Sequence, residues 1–281
     1  MRHCETPHKI RPAPVVKWAG GKTRLLPELT ARMPDRFGRY FEPFVGGAAL
    51  FFRVEPERAV LADANPDLIG LYACLVRDVA GVIRGLSRHR ARHSEKHYYA
   101  TRSRWNDRSR TWTAVDRAAT FLYLNKTCFN GLWRVNRSGE FNVPIGRYDD
   151  PTIFTPQALR DASALLRRAT LFCGDYRRVV ERARRRDFVY FDPPYAPATR
   201  TTIFTSYTAI TFGLDQQREL AATARSLVAA GCRVMLSNSD TPFVRTLYRG
   251  FQVERVRCDR SISAGAAGRG AVDEVIVTGG Y

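Results

Sequence analysis

The sequence predicts an α/β protein: a mixed sheet interrupted by a mainly helical insertion. Three observations predict it. Toward both ends of the chain short apolar runs alternate with helix-like stretches, the rhythm of βαβ units. Two of those runs stop directly on an aspartate, Asp63 and Asp192, where open α/β sheets place ligands. Between Pro66 and Tyr148 the rhythm gives way to Arg-, His- and aromatic-rich helical segments with little β-branched content. Residues 1–65 and 149–281 are therefore expected to build one domain, and 66–148 to be inserted into it.

Element by element, Val15 and Val16 lead into Lys17-Trp18-Ala19-Gly20-Gly21-Lys22-Thr23, followed by a helix from Arg24 to Met33. Arg39 to Phe44 reads as a strand running into Val45-Gly46-Gly47, with a helix from Ala48 to Val54. Ala59 to Ala62 is a second strand. In the insertion, the turn Asn136-Arg137-Ser138-Gly139 between aromatic and apolar flanks signals a β-hairpin at about 125–148. The alternation returns with a strand from Ala169 to Cys173, a basic helix from Tyr176 to Arg185 and a buried strand from Phe188 to Phe191. A helix from Gln216 to Ala230 and strands from Arg233 to Leu236 and from Glu274 to Thr278 complete it. Ala198 to Thr208 and Ser261 to Gly270 read as loops, either segments that order on a ligand or ordinary surface.

Composition narrows the function. Of 281 residues 44% are hydrophobic, enough for a full core, so a largely disordered chain is excluded. The net charge is +18, and 40 of the 45 cations are Arg. Codon usage in a GC-rich genome accounts for such an excess, and so does a polyanion partner bound through guanidinium groups. Six cysteines (Cys4, Cys74, Cys128, Cys173, Cys232, Cys258) show no paired spacing, which argues against a zinc site or a disulfide framework. No metal is expected. Met1 to Ile10 lacks an apolar core, and no apolar run is long enough to span a bilayer, so a cytoplasmic protein without membrane attachment is expected.

Asp192-Pro193-Pro194-Tyr195, directly after a strand, is the sharpest chemical feature. Two prolines hold the backbone extended and remove two amide donors, leaving carbonyls as acceptors. A carboxylate, a carbonyl and an aromatic face suit the grip of a planar exocyclic amine, although Asp-Pro-Pro is also a common loop former. Phe44-Val45-Gly46-Gly47 opens a helix after a strand and suits close backbone approach to a nucleoside. Asp63, 16 residues beyond Gly47, is placed to accept from ribose hydroxyls. Gly20-Gly21-Lys22-Thr23 resembles a phosphate loop, but the pattern demands glycine where Val16 stands. Lys22 is then free to pair with a carboxylate, and Trp18 to pack on a ligand.

Together these segments resemble the Dam-type DNA adenine methyltransferases. The resemblance runs through Lys17 to Lys22, Glu42 to Gly46, Leu61-Ala62-Asp63, Phe121 to Asn125, Asn130 to Arg134, Gly139 to Pro144 and Gly146-Arg147-Tyr148. It continues in Asp192 to Pro197, Leu236-Ser237-Asn238 and Arg260 to Ser263. Gly46-Gly47-Ala48-Ala49 departs from the family's more usual Gly-Ala-Gly-Ser.

The resemblance implies a Rossmann-like methyltransferase sheet, an inserted target-recognition domain and S-adenosylmethionine as cofactor. Trp18 and Lys22 would hold its methionine end, Phe44, Gly46 and Gly47 would approach its backbone, and Asp63 would take the ribose. Asp175 would accept from its adenine amine, unless it serves only as a helix cap. A flipped adenine of duplex DNA would stack on Tyr195, its amine held by Asp192 and the Pro193 carbonyl. The resemblance also implies GATC as the site. Arg134 would read guanine, Leu132 and Pro144 would offer apolar contact to a pyrimidine, and Lys17 would read the first guanine. Phe129 would wedge into the stack, Asn130 would meet the orphaned base, and Arg147 and Tyr148 would touch phosphate. A cognate restriction nuclease is a further expected partner. The alternatives are another planar amine, such as that of cytosine or an RNA base, and a silent DNA-binding regulator of the same fold.

Overall fold

The computed structural model describes residues 12–148, 150–196, 212–259 and 271–281. α1 (Leu26–Ala31) begins with a proline in its first turn, where the missing N–H costs no hydrogen bond. β1 (Tyr40–Glu42), α2 (Ala49–Val54) and β2 (Ala59–Asp63) follow. α3 (Pro66–Ala91) is capped by Asn65, whose side chain accepts from the N–H groups of Asp67 and Leu68, and is kinked at Asp78. α4 (Glu95–Asn106) and α5 (Ala114–Thr127) start at Ser94 and Thr113 caps. A single 3-10 turn spans Phe129–Gly131. Then come α6 (Pro156–Leu166), β3 (Ala169–Cys173), α7 (Tyr176–Val180), β4 (Phe188–Phe191) and α8 (Leu214–Ala229). β5 (Arg233–Ser239), α9 (Pro242–Leu247), β6 (Gln252–Asp259) and β7 (Ala271–Gly279) end the chain.

The seven strands lie in the order β3-β2-β1-β4-β5-β7-β6. β1 to β5 pair in parallel, and β7 runs antiparallel between β5 and β6. Alternate side chains feed two cores: Tyr40, Phe188 and Tyr190 one face, Phe41, Val189 and Phe191 the other. The first core continues without a break into the insertion, through Trp105, Phe121, Trp133 and Phe141. α3 holds the two together: it packs on α5 and α6, and the Ser163 hydroxyl donates to the Leu75 carbonyl.

Several boundaries differ from the sequence reading. The basic helix ends at Val180 rather than Arg185. The chain turns through a left-handed Arg186 (φ 73°) to reach β4. β6 and the helices α6 and α9 were not expected. β6 is an edge strand with Glu254, Arg255 and Arg257 between apolar residues, the charged pattern that protects a sheet edge. α6 carried its own signal, Pro156 followed by Leu159, Ala162, Leu165 and Leu166 at helical spacing. The hairpin turn forms: Gly139 N–H donates to the Asn136 carbonyl, and Asn136 N–H to that of Glu140. Its arms meet only at isolated bridges, Val135 with Phe141 and Cys128 with Ile145, so it is a looped excursion rather than a ladder. All of 198–208 and 261–270, together with Pro197 and Arg260, lies outside the described residues.

Candidate active site

The strand order reverses direction between β1 and β4, so the crevice beyond their carboxyl ends is where such a sheet binds ligands. β4 delivers Asp192 into that crevice, and β1 delivers the Gly46 loop.

The Asp192 to Tyr195 segment is held by a buried polar network. Gln217 of α8 donates to the Pro194 carbonyl (2.8 Å) and accepts from the Asn238 amide (3.0 Å). Asn238 accepts from the Ala196 N–H (3.0 Å), and the Ser239 hydroxyl donates to the Ala196 carbonyl (2.7 Å). With both neighbours spent on the scaffold, the Pro193 carbonyl takes no hydrogen bond among the described residues. Asp192 Oδ1 accepts from Ser237 Oγ (3.0 Å) and meets Lys22 Nζ at 2.8 Å. Burial raises the Asp192 carboxyl above its ordinary range, and Lys22 opposes the rise. Lys22 also lies 4.6 Å above the centre of the Tyr195 ring and donates to the Gly20 carbonyl (2.6 Å). The sequence left Lys22 to pair with a carboxylate, and in this structure the carboxylate it meets is Asp192. The Tyr195 hydroxyl donates to Glu274 of β7 (2.7 Å), which fixes the ring.

On the β1 side, Asp63 accepts from the N–H groups of Gly46 (3.0 Å) and Asn65 (2.9 Å). A carboxylate has about four lone-pair sites, so it keeps acceptor capacity for a hydroxyl. Gly46 has φ 44°, and a Cβ there would lie 2.7 Å from Trp18 Cδ1, so this glycine both makes the turn and seats the indole. A Cβ at Gly47 would make only ordinary contact with the same side chain, at 3.4 Å. Phe44 packs against Tyr176, Phe191 and Phe212. Asp175 caps α7 through the Arg177 N–H, and its oxygens also receive the Arg177 guanidinium. Beside it a cleft of about 340 Å³ is lined by Phe172, Cys173, Gly174, Asp175 and Arg178. The Gly174 N–H donates to the Asp63 carbonyl, so cleft and carboxylates adjoin. An aromatic, two carboxylates and an open glycine backbone fit a nucleoside cofactor.

The residues expected to read DNA gather at the hairpin. Asn125, buried at the end of α5, clasps the backbone of Lys17: it accepts from the Lys17 N–H (2.8 Å) and donates to its carbonyl (2.7 Å). The Lys17 ammonium donates to the Tyr148 hydroxyl (3.0 Å) and lies 4.2 Å from that ring's centre. Burial and then Lys17 push Lys126 down to about 8. Phe129 is 46% exposed, unusual for an apolar ring, and its N–H donates to the Pro144 carbonyl. Asn130 takes a left-handed conformation (φ 53°) that projects from the turn. Leu132 is half-buried, whereas Arg134, Pro144 and Arg147 are exposed. Arg134 donates to Asn142 (3.3 Å).

Residues 18–262 match the family model described as D12 class N6 adenine-specific DNA methyltransferase. The chain belongs to this family. Relatives include the Type II methyltransferase M1.LlaDCHI of Lactococcus lactis subsp. cremoris, 39% identical and covering 96% of each chain. The Type II methyltransferase M.MjaIII of Methanocaldococcus jannaschii is 40% identical over 89% of this chain and 92% of its own. The DNA adenine methylase of Haemophilus influenzae is 38% identical over 95% and 94%.

The methyltransferases of this class methylate adenine in DNA and use S-adenosylmethionine as donor. Among the described residues no His, Cys, Asp or Glu group is arranged to hold a metal, and no helix is long and apolar enough to cross a membrane. Sequence reasoning assigned no role to Gln217 or Glu274, and used Glu42, Asn125, Ser237 and Asn238 only as motif positions. Glu42 is 3% exposed and accepts from the Tyr40 hydroxyl (2.8 Å) beside Asp192; burial raises it to about 8. A glutamate within the aromatic run of a strand was the available signal for it. For Gln217 and Glu274, on an amphipathic helix and a terminal strand, only strand pairing reveals the neighbour.

Proposed function

We propose that this methyltransferase modifies the exocyclic 6-amino group of adenine within GATC in duplex DNA. The observation that carries the reading is the Asp192 carboxylate beside a Pro193 carbonyl that takes no hydrogen bond among the described residues and the anchored Tyr195 ring, at the switch point of the sheet. These two acceptors take both amine hydrogens and draw the lone pair out of ring conjugation, while Tyr195 and Pro194 confine the flipped base. Positioning and electrostatics supply the acceleration, and no covalent enzyme intermediate is needed.

S-adenosylmethionine, when bound, supplies an electrophilic methyl group. Trp18 and Lys22 hold its methionine end, the Lys22 ammonium exchanging Asp192 for the ligand's carboxylate. The backbone at Phe44, Gly46 and Gly47 lines its path, and Asp63 accepts from the ribose. Asp175, which here accepts from Arg177, would accept a hydrogen bond from the cofactor's adenine amine.

Residues 66–148 act as the target-recognition insertion. Lys17 and Arg134 read guanine, Leu132 and Pro144 contact pyrimidine, and Arg147 and Tyr148 hold phosphate. Phe129 enters the stack and Asn130 faces the orphaned base; the exposed ring supports this role. A cognate restriction nuclease as partner is supported by the names of two relatives, and a cytoplasmic location by DNA as substrate.

The test is purified protein with tritiated S-adenosylmethionine and plasmid lacking adenine methylation, followed by GATC nucleases that require or are blocked by the methyl group. Label with GATC protection is expected, and Asp192→Ala abolishes both while sparing DNA binding. Label without protection removes GATC; DNA binding without label supports the silent regulator.

A further inference from the structure

The end of the sheet opposite the active site carries a row of arginines that the reaction does not use. Backbone hydrogen bonds put Arg168, Arg58 and Arg39 side by side, at the position just before β3, β2 and β1. The Ala59 N–H donates to the Arg168 carbonyl, Tyr40 to that of Arg58, and Phe188 to that of Arg39. Neighbouring strands are about 4.8 Å apart, so the row is dense. The turn into β4 adds Arg184, Arg185 and Arg186; the Gly38 N–H donates to the Arg186 carbonyl, which places this turn against the start of β1.

Arg39 is neutralised by Asp187 (2.8 Å). Arg58, Arg168, Arg184, Arg185 and Arg186, with Arg167, are all exposed, and among the described residues none forms an ion pair, the Arg184 guanidinium donating only to the Glu181 and Ala183 carbonyls. Asp35, Glu55 and Glu57 lie on the loops leading to β1 and β2, and none pairs with an arginine of the row. Some arginines elsewhere have a carboxylate partner, among them Arg32, Arg88, Arg117, Arg177, Arg218, Arg245 and Arg255, and what sets the row apart is its density along one edge of the sheet. Unpaired guanidinium groups at this density repel one another unless a polyanion covers them.

We propose that this amino edge is a second duplex-binding surface, gripping the phosphate backbone of a DNA segment other than the one in the active site. Phosphates line both strands of a duplex, and a planar guanidinium donates to two phosphate oxygens at once. The same segment does not reach both ends of the sheet. The row sits at the amino ends of β1 to β3 and the crevice lies beyond the carboxyl ends of β1 and β4, so a duplex laid across the crevice faces away from the row. One molecule thus bridges two duplex segments. The inference rests on DNA being the family's substrate and is independent of the GATC reading.

The test is a bridging assay without cofactor: one duplex immobilised on beads, a second fluorescent duplex in solution, and full-length protein between them. Wild-type protein is expected to retain the fluorescent duplex, with steep loss on added salt. Arg58→Glu/Arg168→Glu/Arg185→Glu is expected to abolish retention while methylating a short duplex at the wild-type rate. The neutral set R58Q/R168Q/R185Q should lower the slope of log affinity against log salt for the second duplex by about 3. Retention by the charge-reversed protein equal to wild type would overturn the proposal, since bridging would then come from paired molecules. So would no retention by wild type, or displacement of the fluorescent duplex by single-stranded RNA at lower concentration than by duplex DNA.

Discussion

Replacing Glu42 with Gln tests the electrostatics of the crevice most directly. The carboxyl is buried, holds the Tyr40 hydroxyl and lies near Asp192, and burial raises it from 4.5 to about 8. Folded protein therefore keeps this proton at neutral pH, whereas the unfolded chain releases it. Because the folded state binds more protons across this window, stability falls as pH rises from 4.5 toward about 8. At about 1.36 kcal/mol per pH unit the full interval corresponds to about 5 kcal/mol. Glutamine has nearly the shape of the protonated acid and still accepts from Tyr40, so Glu42→Gln should match wild type in acid and become progressively more stable toward pH 8. Urea unfolding of both proteins at a series of pH values checks this, because the difference between them cancels every other titrating group. A difference that stays constant across the series would refute the reasoning, showing that Glu42 is ionised in the folded protein.

Three further outcomes are expected. Gly46→Ala forces a side chain onto Trp18 and a left-handed backbone, costing about 1–2 kcal/mol of stability and weakening S-adenosylmethionine binding by calorimetry; unchanged affinity would separate this loop from the cofactor. Tyr195→Phe and Glu274→Leu should each lower kcat/KM, with a coupling of about 0.5–3 kcal/mol in a double-mutant cycle; additive losses would mean the hydrogen bond does not position the ring. Arg134→Ala should relax one base position at a cost of about 1–3 kcal/mol in discrimination, and unchanged preference across singly substituted sites would assign that base to another residue.

The strands β1 to β5 and the chemical loops behind them are legible because their signals are local: an apolar run, then Asp63 or Asp192, then a turn. The recognition hairpin is legible at its tip, where Asn136 and Gly139 demand a turn, but not in its arms. Those are held by contacts to α4, as where Asn106 takes both backbone groups of Phe141. The same limit explains Asn125 and Glu274. Lys17 and Asn125 are 108 residues apart, and Tyr195 and Glu274 79, so neither pair leaves a periodic trace. Lys22 shows the other limit, since a lysine at a helix start names no partner until Asp192 is brought to it.

The unbroken core from the sheet into the helical insertion bears on how such enzymes exchange specificities. A chimaera cut at Pro66 and Tyr148 would import the apolar undersides of α3 and α5, and would have to repack Phe121, Trp105 and their neighbours against a foreign sheet. A cut between Asn125 and Ile145 leaves the Asn125 clasp on Lys17 in place and asks of a graft only that it keep Trp133 and Phe141, the two rings of the tip that pack into the core with Trp105 and Phe121. Swaps of that smaller cassette should fold and change the sequence read, whereas swaps of the whole insertion should fail at folding before specificity is ever sampled.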